Sequence, residues 1–277
     1  MTSRRNFLQQ SALGLAGSLS LPLVSGAAPA KKGTTPILTG VAGYTFAKFD
    51  LEKSIAMMKK VDIKYISIKD IHLPLNSSDE KIESVKKQFA DAGINVYAVG
   101  VIYMKSKEAV DQAFSYAKKV GVPLVVGVPN PELLDYTESV VKSTGIKIAI
   151  HNHGPEDKLY PSPKNVWDLI KDRDEKMGIC MDIGHAIRAG ADPAEVVKLY
   201  KSRLYDLHIK DVSLAAKDGK AIEVGRGVID FPALVKALQK IRYQGVCSLA
   251  FEKDMSDPLA GIAESAGYFK GVVKSLS

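Results

Sequence analysis

"INVYAVGVIYM" (residues 94–104), "KEAVDQAFSYAKKVG" (107–121) and "VPLVVGVPN" (122–130) follow one another almost without interruption. The outer two segments are short, apolar and rich in β-branched residues, as buried strands are. The middle one repeats apolar residues at helical spacing and ends on Gly121, the residue type that most easily takes the left-handed backbone at a helix end. Together they read as one β–α–β unit, which needs a parallel sheet.

The same alternation continues outward in both directions. "PILTGVAGYTF" and "IKYISIKD" precede it, and "IKIAIHNHG", "MGICMDIGHAI", "LYDLHIKDVS" and "VCSLAFEKD" follow it. Helical patterns such as "LEKSIAMMKKV", "DEKIESVKKQFADAG", "PELLDYTESVVKSTG", "DPAEVVKLYKSR" and "FPALVKALQKI" lie between them, with Gly93 and Gly145 as further stops and Asp192 and Asp230 as openers. Eight such units, each of roughly 30 residues, predict an α/β chain folded as a (β/α)8 TIM barrel. A doubly wound open sheet is the competing architecture, but no G-x-G-x-x-G follows the first strand. No linker or composition shift divides residues 31–277, so one domain is expected there.

The first thirty residues read differently. Arg4 and Arg5 precede a weakly apolar run, "SALGLAGSLSLPLVSG", and then the small residues "AAPA". This is the layout of an export signal, and the paired arginines point to the Tat route into the periplasm. Ala30 and Ala27 are the candidate cleavage points. The run is too rich in Gly and Ser for a comfortable membrane span, so no stable span is expected after cleavage. Cleavage after Ala30 leaves 36 basic against 31 acidic residues. The lysines are scattered over helical faces, which argues for a solvated surface and against a nucleic-acid partner.

In a TIM barrel the chemistry sits at the C-terminal strand ends. All five histidines fall there in the sequence: His72, His151, His153, His185 and His208. Strand residues of equal parity share a face, so His151 follows Ala149, Asp182 follows Cys180, His208 follows Asp206, and Glu252 follows Ala250. Two imidazoles and two carboxylates would then converge from four consecutive strands, a donor set suited to Mn²⁺, Zn²⁺, Fe²⁺ or Co²⁺. A hydrogen-bonded polar cluster without metal is the alternative. Cys180 should face into the barrel and Cys247 outward, so no disulfide is expected.

"MDIGHAIRAGADP", "LYDLHIKDV", "EVGRGVIDF" and "SLAFEKD", in this order, resemble the sugar phosphate isomerase/epimerase family with the xylose isomerase-like TIM barrel. The resemblance implies a divalent metal held by Asp182, His208 and Glu252, with His185 near the substrate or metal-bound oxygen and Lys210 near the substrate. It also implies that Arg226 of "GRG" belongs to a loop that closes over the ligand. The family usually carries glutamate where this chain has His151, which removes one catalytic base; His153 or Glu156 could take the ligand's place. A histidine-rich fifth strand is also similar to the inosose dehydratase branch.

The expected chemistry is proton abstraction beside a carbonyl, with Glu252 as base and His185 or His153 as acid. Tyr44, Lys69 and Tyr103 would line a small-carbohydrate pocket. Isomerase or epimerase is the first expectation and a lyase acting on a keto-sugar or 3-keto-glycoside the second. A carbohydrate-binding barrel without catalysis is the third, and an oligomer is compatible with all of them. A phosphodiesterase of the endonuclease type would need more metal ligands than this chain offers.

Overall fold

The computed structural model describes residues 36–277, so the expected signal segment and its cleavage points lie outside the described residues. Eight parallel strands close into a barrel: β1 (Leu38–Ala42), β2 (Tyr65–Ile68), β3 (Asn95–Met104), β4 (Leu124–Pro129), β5 (Lys147–His151), β6 (Met177–Asp182), β7 (Leu204–Ile209) and, after a small hairpin, β10 (Val246–Leu249), which pairs with both β7 and β1. The hairpin, β8 (Asp211–Val212) with β9 (Ala221–Ile222), is antiparallel and follows β7 directly.

Helices separate the strands, and their boundaries have local causes. Ser78, Ser106 and Asp230 cap α2 (Asp79–Asp91), α3 (Lys107–Val120) and α8 (Phe231–Ile241), each accepting a backbone N–H from the first turn. Gly121 and Gly145 end α3 and α4 (Leu134–Thr144) at φ +82° and +73°. One boundary differs from the sequence reading. "MGICMDIGHAI" does not continue as strand: β6 stops at Asp182 and Ile183–Arg188 form α6. The Asp182 side chain caps that helix by accepting the His185 N–H at 3.0 Å, which is why the strand ends there.

The apolar layer lies between barrel and helices, where Phe89, Phe114, Phe231 and Phe269 are fully buried. Emptying any one of these positions, as in Phe114→Ala, should cost about 3–5 kcal/mol. The barrel interior holds a separate, smaller cluster of Ala98, Leu124, Val126, Ala149 and Cys180. Cys180 belongs to the interior and Cys247 to the outer layer, and both are free thiols. Among the described residues no helix is long and apolar enough to cross a membrane.

Candidate active site

Barrel register brings the expected ligands to one end. Asp182 of β6 pairs with His208 of β7, His208 pairs with Ser248 of β10, and His151 of β5 pairs with Cys180. Above them opens a cavity of about 350 Å³, lined by His151, His153, His185, His208 and Glu252 on one side and by Tyr44, Lys69 and Tyr103 on the other. His72 does not join them. It is buried beneath α1 (Leu51–Lys60), where Nε2 meets Ser54 Oγ at 3.2 Å, so four of the five histidines form the site.

The imidazoles are packed on one another. His151 stacks on His153 with ring centroids 4.9 Å apart and meets His208 edge-on at 4.7 Å. His151 Nε2 and His208 Nδ1 are 3.1 Å apart, and Asp182 Oδ2 stands 4.0 Å from the same His151 nitrogen. Burial pushes the His208 imidazolium down to about 4 and holds that of His151 well below its ordinary value, with neighbouring histidines adding to the effect. Both rings are therefore neutral near pH 7, the form that ligates metal.

Asp182 behaves oppositely. Burial would raise its carboxyl, but the Lys210 ammonium and the surrounding histidines hold it far below the carboxylate range. Its Oδ1 caps α6, and its Oδ2 is buried behind the cavity lining, 4.0 Å from His151 Nε2 and 3.9 Å from His185 Nε2. Lys210 Nζ lies 3.1 Å from that oxygen and 2.9 Å from Glu252 Oε1, bridging the two carboxylates. Gly184 makes room for this arrangement, since a Cβ there would come within 2.8 Å of the Lys210 stem. The D-x-G-H and H-x-K-D elements are thus two halves of one packed unit.

The donor set fits a divalent cation. His151 Nδ1 is buried with no partner among the described residues, while Asp182 Oδ2, His153 Nδ1 and His208 Nε2 make no directed hydrogen bond and meet only ionisable neighbours, Lys210 at 3.1 Å, Asp157 at 3.5 Å and Asp206 at 3.7 Å. His151, Cys180 and His208 also present ligand atoms within 4.8 Å of one another, although burial and the Asp206 carboxylate keep the Cys180 thiol protonated well above its ordinary pKa. Lys210 holds the Glu252 carboxylate as it holds that of Asp182, so a cation meeting either would compete with the lysine. Glu156 is taken as well: Arg188 Nη2 donates to both its oxygens at 3.0 Å.

Two residues were missed from the sequence. Asn152 ties β5 to β6 by accepting the Asp182 N–H at 3.1 Å and donating to the Asp182 carbonyl at 3.3 Å. Arg188 donates from Nη1 to His185 Nδ1 at 3.1 Å and from Nη2 to the Lys217 carbonyl at 2.6 Å. Guanidinium can only donate, so in this 3.1 Å contact His185 Nδ1 is the acceptor and the proton of the neutral ring sits on Nε2, which lies 3.9 Å from Asp182 Oδ2 and 3.4 Å from the Lys210 ammonium. Helical spacing carried the signal for Arg188, three residues after His185 on α6.

The remaining expected residues sort plainly. His153 Nε2 shares a 2.9 Å hydrogen bond with Tyr103 OH. Lys69 donates to the Val101 carbonyl at 2.6 Å and pairs with Asp70. Arg226 does not line the cavity; it is held in an ion pair with Glu264 of α9 (Leu259–Ser275). Its loop is already fastened by the buried Asp211, which accepts the N–H groups of Gly225 and Gly227 at 2.9 Å and of Ile229 at 3.3 Å. Gly227 must be glycine, because a Cβ would lie 2.2 Å from Asp211 Oδ1.

A family described as "Xylose isomerase-like TIM barrel" matches residues 55–272. Inosose dehydratase of Clostridium perfringens is 25% identical over 157 residues, 50% of this chain and 52% of that protein. The chain spans about half or less of the length of the curated relatives it matches. Among solved structures, the IolI protein with a bound zinc atom has a TM-score of 0.72 at 18% identity, covering 86% of this chain and 99% of that one. L-ribulose 3-epimerase has a TM-score of 0.69 at 16% identity, covering 86% and 95%. Likeness at that level of identity shows the shared fold.

Proposed function

The chain belongs to the xylose isomerase-like TIM barrel family, and on that premise we propose that it is a divalent-metal enzyme that removes the proton beside the carbonyl of a small sugar or keto-sugar, acting as an isomerase or epimerase. The observation that carries this reading is the convergence of His151, His208 and Glu252 on one cavity end, with the ionised Asp182 carboxylate buried directly behind the neutral imidazoles, 4.0 Å from His151. His151, Asp182 and His208 would hold the cation, with Mn²⁺, Zn²⁺, Fe²⁺ or Co²⁺ favoured over Mg²⁺ by two nitrogen donors. When bound, it would polarise the substrate carbonyl as a Lewis acid.

Glu252 is the carboxylate that faces the cavity and the candidate base, and Lys210 orients it through the 2.9 Å contact. His185, its proton fixed on Nε2 by Arg188, and His153, bonded to Tyr103, are the candidate acids. Tyr44 and Lys69 would receive sugar hydroxyls. A twin-arginine leader supports export of the folded chain to the periplasm.

Elimination of water beside the carbonyl is the second reading. It is favoured by His151 standing where a second carboxylate base would stand, which leaves one base on one substrate face, and by the inosose dehydratase relative. Incubating metal-loaded protein with a panel of keto-sugars and 3-keto-glycosides in D₂O separates the readings. Deuterium gained with mass otherwise retained marks isomerisation, and loss of water or aglycone marks a lyase. No deuterium gain and no turnover with any member would remove both.

A further inference from the structure

A second cavity opens at the opposite end of the barrel. Leu38, Leu124, Lys147, Leu204 and Val246, the first residues of five barrel strands, form its wall, so it is the N-terminal mouth. At about 580 Å³ it is larger than the histidine-lined cavity and within the range of small-molecule sites.

Its chemistry is one-sided. Lys147, Lys201 and Arg242 line it and no aspartate or glutamate does. None of the three cations has a carboxylate partner among the described residues. Lys147 instead places Nζ over the Tyr205 ring, 4.6 Å from its centroid. Three more tyrosines, Tyr65, Tyr97 and Tyr243, contribute flat faces. Tyr97 closes the inner end: its OH donates to Asp206 Oδ1 at 2.9 Å, which leaves the ring facing the mouth.

Arg242 adds a second kind of observation. It ends α8 at φ +54°, a left-handed position where glycine is the usual occupant and any other side chain is strained. A cation is therefore held at the cavity rim against the backbone's preference.

We propose that this mouth is a second ligand site, for a small organic anion carrying a flat ring, such as an aromatic carboxylate or phosphate ester. The cations would meet the charged group and the tyrosines the ring. The site stands independently of the reaction proposed above, since it shares no lining residue with the other cavity.

Calorimetric titration of the full chain with phenyl phosphate tests the assignment, with inorganic phosphate and phenol as comparators. Phenyl phosphate should bind saturably, at least about tenfold more tightly than either comparator, and more weakly as salt rises. Arg242→Gly and Lys147→Met should each weaken it about tenfold, the scale of one lost charge-assisted hydrogen bond. Both variants should fold, because glycine favours the left-handed backbone and methionine keeps an apolar stem over Tyr205. His153→Ala, in the other cavity, should leave the affinity unchanged. Affinity no better than that for phosphate, affinity undiminished in both mouth variants, or affinity lost in His153→Ala would each overturn the proposal.

Discussion

Lys210 and Asp182 form a buried ion pair at the C-terminal mouth, Nζ to Oδ2 at 3.1 Å, with side chains 4% and 1% exposed. The pair occupies ground that a cation bound by Asp182 would also claim. Burial alone would lower the lysine's pKa, but the Asp182 and Glu252 carboxylates raise it above its ordinary value, so it is charged at any working pH. Lys210→Met should therefore cost metal-free protein about 3–5 kcal/mol, the scale for a buried charge left alone. Zinc should restore more of the melting temperature in this variant than in the parent; equal restoration would show that lysine and metal do not compete.

His151 should be the ligand that sets metal choice. His151→Ala should weaken Zn²⁺ binding by at least about tenfold while circular dichroism stays unchanged, because the barrel is built on layers below the site. His151→Glu should bind Mg²⁺ better than the parent and, given a second carboxylate base, exchange a substrate proton from the other face. If His151→Ala binds zinc like the parent, His151 is a lining residue only.

Arg188 should act through His185. Arg188→Met removes the donor at Nδ1 and the link to Glu156, so the ring loses its fixed tautomer. Nitrogen chemical shifts of His185 should move toward a mixture of tautomers, and turnover should fall roughly tenfold with KM nearly unchanged. Unmoved shifts would assign Arg188 to loop anchoring alone.

Acid and base should act on stability through two residues of β7. His208 has its folded pKa pushed down to about 4 from 6.5, chiefly by burial. The unfolded chain thus binds its proton first, and the contribution of His208, complete above pH 6.5, is lost as pH falls to about 4. Asp206 runs the other way: burial raises its folded pKa to about 8 from 3.8, so its contribution is complete below 3.8 and lost as pH rises through 8. Asp206→Asn keeps an acceptor for Tyr97 and abolishes only the second effect. Urea melts should show the variant gaining on the parent as pH rises from about 4 to about 8 and no further above it; parallel curves would mean that Asp206 is ionised throughout.

Much of this was legible in the chain, and the exceptions have physical reasons. Period-two runs located all eight barrel strands, and parity placed His151, Asp182 and His208 inward. The same parity puts Lys210 two positions beyond His208 on the same face, so the lysine bridge was written in "HIKD" and went unread. α6 was hidden because Ile183 and Ala186 continue the apolar character of β6 while only the cap at Asp182 changes the backbone. The ion pair of Arg226 with Glu264 joins residues 38 apart, a contact no local pattern encodes. His72 satisfied the rule of strand ends yet turned away, because a single histidine after a strand can cap the packing of a neighbouring helix instead.

Asp211 reaches 14 to 18 residues along the chain to grip Gly225, Gly227 and Ile229. Immobilising such a segment costs roughly 1–2 kcal/mol per residue in backbone entropy. Here that cost falls within folding, before any ligand arrives. The segment between Asp211 and Ile229 is fastened in advance, so a ligand arriving at this end of the barrel meets it without a disorder-to-order step there.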